Sequence, residues 1–146
     1  PTSKMSKIGT QLMSVEAGIS ESWKASVKRA QGYSSCRALV QSGLEARSTR
    51  HRKRISLAVS QHIMKHIKVC GDLCITKSFN WEVAQIKKLL ATYANDARNL
   101  AREVLRCSKN ASPSKKPSDE AGRTDNRLTD LVNKVSGIDT NCKICR

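Results

Sequence analysis

His62, His66, Cys70 and Cys74 recur at steps of 4, 4 and 4, and Cys142-Lys-Ile-Cys145 supplies a second pair of sulfurs. Residues four apart share a helix face, so two imidazoles and two thiolates could close a tetrahedral zinc site. Two features weigh against that chemistry. Gly71 is expected to end the helix before Cys74, and both histidines fall among apolar residues, where a histidine is ordinarily a satisfied core group. Structural zinc sites also show closer cysteine pairs at both ends. The expectation is therefore no metal and no cofactor, with the six cysteines, Cys36, Cys70, Cys74, Cys107, Cys142 and Cys145, as disulfide candidates.

Catalysis finds no better footing. His62-Ile-Met-Lys-His66 holds no glutamate to act as the general base of an H-E-x-x-H metalloprotease. No Ser-His-Asp signature, phosphate-cradling glycine loop or pair of carboxylates on one face accompanies it. No catalytic residue is expected, and the chain is read as a non-enzyme.

The elements that would position any site are helices. Val83, Ile86, Leu90, Tyr93, Ala97, Leu100, Val104 and Cys107 step by three and four, which predicts a helix over 80–107, capped by Asn80 with Glu82 in its first turn. At 1.5 Å per residue it would run roughly 40 Å, enough for the spine of a small bundle. Ile8, Leu12, Val15, Ile19, Trp23, Val27 and Ala30 predict a first helix over 7–31 despite Gly18. A short helix or kinked continuation over 36–47 follows, then a basic helix that Gly71 stops. Residues 108–124, rich in Ser, Lys and Pro, are read as a mobile linker carrying the sequon Asn110-Ala-Ser112. Asp125 could cap a last helix bearing Leu128, Leu131, Val132 and Val135, before a cysteine-containing tail at 137–146. The reading is all-α: one domain over 1–146, an up-and-down bundle of four to five helices.

Six cysteines allow 15 pairings. Cys74 and Cys107 lie near opposite ends of the spine helix and should not pair. The tail could bring Cys142 or Cys145 to Cys107, and Cys36 could then meet Cys70 or Cys74.

Twenty-seven Lys and Arg against 12 acids leave a formal charge of +15 in 146 residues. Such self-repulsion is offset when a polyanion binds. On the basic helix, Ile55, Val59, His62, Ile63, His66 and Cys70 fall on one face, and Arg47, Arg50, Arg54, Gln61, Lys65 and Lys68 on the other. Leu57 and Met64 lie outside the apolar face, beside the cations. Arg98, Arg102 and Arg106 make a second stripe at i, i+4, i+8. With only two Trp, two Tyr and one Phe there are few stacking platforms, which disfavours nucleic acid. Anionic membrane lipid or an acidic glycan or glycoprotein is the expected partner. The even cysteine count, and a start at Pro1 without Met, suit an exported protein, while no stretch reaches about 18 apolar residues, so no transmembrane segment is expected.

The second long helix reads RKRISLAVSQHIMKHI, and over roughly residues 35–107 this basic amphipathic helix, the helix order and the overall length resemble the abalone sperm acrosomal proteins, sperm lysin and its fusagenic paralogue. Lysin-like chains are rich in Trp and Tyr and this one is not; that departure and the six cysteines favour the membrane-active paralogue. The resemblance implies a five-helix bundle released from the acrosomal vesicle that promotes fusion with the egg membrane. A helical cytokine acting on a receptor ectodomain is the alternative, and a nucleic-acid-binding protein from a reducing compartment a third.

Overall fold

A computed structural model describes the backbone of residues 2–72, 77–109 and 126–134, with side chains over 9–62, 83–109 and 126–134. Among these residues the regular elements are helices, and the all-α reading holds. Helix α1 spans Thr2–Gln31; a 3-10 turn, Ser34–Cys36, leads into the short α2, Arg37–Gln41; α3 covers Leu44–Asp72 and α4 Lys77–Ser108. A last helix, α5, occupies 126–134.

The three-and-four periodicity predicts what is buried. Val83, Ile86, Leu90, Tyr93, Ala97, Leu100 and Val104 of α4 all lie in the core, as do Leu12, Val15, Ile19, Val27 and Ala30 of α1. Removing each Leu, Ile or Val from water contributes about 1.5–3 kcal/mol, more than the weak helix propensity of any of these segments. The helix ends are less faithful to expectation. Helix α4 begins at Lys77, so Asn80 is a helical residue rather than the cap, and no acid stands in the first turn. Helix α3, by contrast, ends at Asp72, one residue past Gly71 and before Cys74, as the glycine predicts.

Gly43 is where the chain does turn. Its φ of 85° is left-handed, a conformation open to glycine at no steric cost, and it separates α2 from α3. The backbone N–H of Arg47 then donates to the Gly43 carbonyl at 3.1 Å, which starts α3.

Cys36 and Cys107 are joined by a disulfide with Cα atoms 5.1 Å apart. Neither expected pairing of these cysteines occurs. The 3-10 turn after α1 packs Cys36, Leu44, Leu100 and Val104 into one cluster, so Cys36 meets the end of α4 directly. This junction also fixes the topology. The end of α1, the start of α3 and the end of α4 share one end of the molecule, so α1 and α4 run parallel and α3 runs antiparallel to both. The expected tail cysteines, Cys142 and Cys145, with Cys70 and Cys74, lie outside the residues whose side chains are described, as does most of the linker at 108–124 and all of the tail at 137–146. Ser108 itself closes α4 and is buried.

Leu128 of α5 enters the main core beside Leu12, Val15 and Ile19, with Leu131 and Val132 packed against it. A Cβ built on Gly18 would stand 3.0 Å from Leu131 Cδ1 and Cδ2. The glycine in α1 is thus the notch that seats α5. The core's largest buried side chain is Tyr93, 1% exposed. Ser20 Oγ donates to Glu16 Oε1 at 2.9 Å, so Tyr93 Oη, 2.9 Å from Ser20 Oγ, is the donor of their hydrogen bond. Burial pushes the Tyr93 phenol up to about 12, and the Glu16 carboxylate adds to the rise.

Candidate polyanion-binding face

Helix α1 packs broadly on both α3 and α4, whereas α3 and α4 touch each other much less. The gap between them is a cleft of about 560 Å³. One wall belongs to α3 and presents Arg47, Arg50 and Arg54, at i, i+3 and i+7; the other belongs to α4 and presents Asp96, Asn99, Glu103 and Arg106, at i, i+3, i+7 and i+10. Trp23, Leu44 and Leu100 lie between the walls.

The α3 cations are open to solvent. Arg47, Arg50 and Arg54 are exposed, and Leu57 beside them is 58% exposed. The Arg47 guanidinium donates to Ser42 Oγ at 3.0 Å, a neutral acceptor that holds the side chain without cancelling its charge. Arg52, by contrast, turns along its own helix, donating to Ser48 Oγ and to Thr49 Oγ1 at 3.2 Å each. Arg50, Arg54, Leu57 and Gln61 follow one another at i, i+4, i+7 and i+11, so one outward strip carries both charge and apolar surface. The backbone of α3 continues helically through Met64, Lys65 and Lys68. The side chains of these three expected site residues lie outside the described set.

The α4 stripe does not survive as a unit. Arg98 is half-buried, and its guanidinium donates to Thr129 Oγ1 of α5, so it is an internal contact rather than part of a solvent face. The reason is α5 itself, which docks across α1 and α4 and covers that position. Arg102 is exposed but does not line the cleft, whereas Arg106 does, opposite the α3 arginines. Arg47, Arg50, Arg54 and Arg106 are thus the expected cations that the fold brings together.

Sequence reasoning missed His51. It sits 5.2 Å from Trp23 and 5.3 Å from Tyr93 between ring centroids, and its Nε2 lies 3.6 Å from Asp96 Oδ2. Trp23 and Tyr93 stack at 6.0 Å. The signal was present: Leu44, Ser48, His51, Ile55 and Val59 step by four, three, four and four along the inner face of α3. His62 is half-buried, and the side chains of His66, Cys70 and Cys74 lie outside the described residues. Among the described residues no three His, Cys, Asp or Glu side chains gather as metal ligands would. Among them also, no helix is long and apolar enough to cross a membrane.

No family model matches the chain, and no match was found among curated proteins or solved structures.

Proposed function

We propose that this is an exported, strongly cationic helical protein that binds an anionic extracellular surface and perturbs or fuses the membrane there, as the sperm acrosomal fertilization proteins it resembles are expected to do. It acts by binding and not by catalysis. The observation that carries the reading is the outer strip of α3, where Arg50 and Arg54 precede Leu57, 58% exposed, at i, i+4 and i+7, and make no ion pair with any described residue. Cations near an anionic lipid surface contribute roughly 1 kcal/mol each. An apolar side chain set among them can enter the acyl boundary once charge has brought the helix down. The Cys36–Cys107 disulfide supports an oxidising, extracellular setting.

Liposomes test it. Disulfide-intact protein should bind anionic vesicles and mix their lipids, should leave neutral vesicles alone, and should lose the effect in high salt. Replacing Arg50, Arg54, Lys65 and Lys68 with Gln should preserve helicity by circular dichroism and remove the binding. Retained binding would sink the assignment to this face. A saturable, salt-resistant interaction with a receptor ectodomain, and none with vesicles, would favour the cytokine-like alternative.

A further inference from the structure

We infer that the cleft between α3 and α4 is a site for a sulfated saccharide. The inference rests on the reading of α3 as a surface-binding face and names the ligand group that this face takes. A plain polyanion site needs cations alone, and a flat cationic surface needs no cleft. Here both are departed from. Arg47, Arg50 and Arg54 line one wall, yet the facing wall sets Asp96, Asn99 and Glu103 beside Arg106. A carboxylate repels any anion set against it, phosphate or sulfate, so the anionic groups of a ligand belong on the α3 side. The same carboxylate, with the Asn99 amide next to it, accepts hydroxyl hydrogens well. A ligand matched to both walls therefore carries strong anions on one edge and hydroxyls on the other.

The floor adds the third requirement. Leu44 and Leu100 are 5% and 4% exposed, so the apolar surface of the base is chiefly that of half-buried Trp23, with His51 and buried Ser48 beside it. Pyranose rings offer an apolar C–H face to such a floor while their substituents point sideways. A cleft of about 560 Å³ falls in the range of small-ligand pockets, room for roughly two sugar rings. Guanidinium forks bind tetrahedral oxyanions with two parallel charge-assisted hydrogen bonds, which suits sulfate on the α3 side.

Titrating the full oxidised chain with a heparin-derived tetrasaccharide, and with its desulfated form, tests the inference by calorimetry and amide chemical shifts. Binding of the sulfated form alone, with shifts confined to 44–54 and 96–106, is the expected result. Asn99→Phe fills the cleft without changing charge and should weaken saccharide binding by about tenfold or more while leaving vesicle binding intact. Glu103→Ala raises the net charge by one and should still weaken the saccharide several-fold, because a hydroxyl acceptor is lost. Both positions are exposed, and circular dichroism checks each fold. Unchanged binding in a folded Asn99→Phe chain, or tighter binding in Glu103→Ala, would overturn the cleft as the site and leave charge alone. Saccharide binding with the expected variant pattern, but none to vesicles, would keep the cleft and remove the membrane half of the proposed function.

Discussion

Arg50 and Arg54 on α3 and Arg98 and Arg102 on α4 are both i, i+4 pairs on long helices, yet only the α3 pair faces water together. Arg98 is drawn inward to Thr129, because α5 crosses α4 at that level. Nothing among the described residues crosses α3 at Arg50 or Arg54. A row of cations is a property of one helix, but whether solvent meets it depends on a second element. The two rows then diverge further. Arg106 leaves its own stripe and joins the α3 arginines across the cleft.

The largest expected effect comes from the bond that holds the two rows at one end. Cys36 and Cys107 are separated by 71 residues, and the chain-entropy treatment of such a loop gives about 4 kcal/mol. A Cys36→Ala, Cys107→Ala double variant should lose about that much in denaturant unfolding and should free Arg106 from its place opposite the α3 arginines. A loss under about 1 kcal/mol would mean that packing alone sets the spacing of the rows.

Next in size is the notch under α5. Gly18→Leu places a side chain where Leu131 already stands, which should cost about 1–3 kcal/mol and loosen 126–134 in hydrogen exchange. With α5 displaced, Arg98 should become accessible and the difference between the rows should fade. Unaltered protection of 126–134 would argue that α5 is held by Leu128 alone.

A direct pair of substitutions sharpens the contrast. Arg98→Ala breaks a charge-assisted hydrogen bond and should cost about 1.5–2 kcal/mol, whereas Arg102→Ala should fall within about 0.5 kcal/mol of the parent. Equal effects would remove the distinction drawn between the two.

A separate test is a pH dependence in the core shared by both rows. The Tyr93 phenol rises from 10.0 to about 12 in the fold, so the folded chain keeps its proton where the unfolded chain has lost it. Its contribution to stability is therefore whole below pH 10 and declines as pH climbs towards about 12. In a Tyr33→Phe background, phenolate absorbance reports Tyr93 alone, and ionisation near pH 10 with the fold intact would show the phenol to be wet.

The helices were legible because burial imposes a three-and-four rhythm on any long amphipathic segment. Leu12 through Ala30 and Val83 through Val104 carry it without a break, and nearly every residue in the two series is buried. Helix starts were not, since Asn80 is an excellent cap by type and its use depends on how far Lys77 and Ser78 wind before it. The disulfide escaped for a different reason: distance along α4 could exclude Cys74 as a partner of Cys107, but only the tight turn at Tyr33 and the 3-10 segment bring Cys36 there. The cleft was half legible. Arg47, Arg50 and Arg54 follow from one helix, while adding Arg106 requires the register between two helices, which no single-helix pattern contains. His51 had the periodicity of the inner face of α3 and was hidden by the basic residues on either side of it.

The close assembly of Trp23, His51 and Tyr93 also gives the molecule an optical signature. With their rings stacked at 6.0 Å, light absorbed by Tyr93 passes to the Trp23 indole by resonance transfer before the phenol can emit. The His51 imidazole lies 5.2 Å from that indole, within contact-quenching range. In a Trp81→Phe chain, emission would thus come from one fluorophore seated beneath the arginines. Its brightness and colour would change when something settles above it, and tyrosine emission would return when the bundle opens.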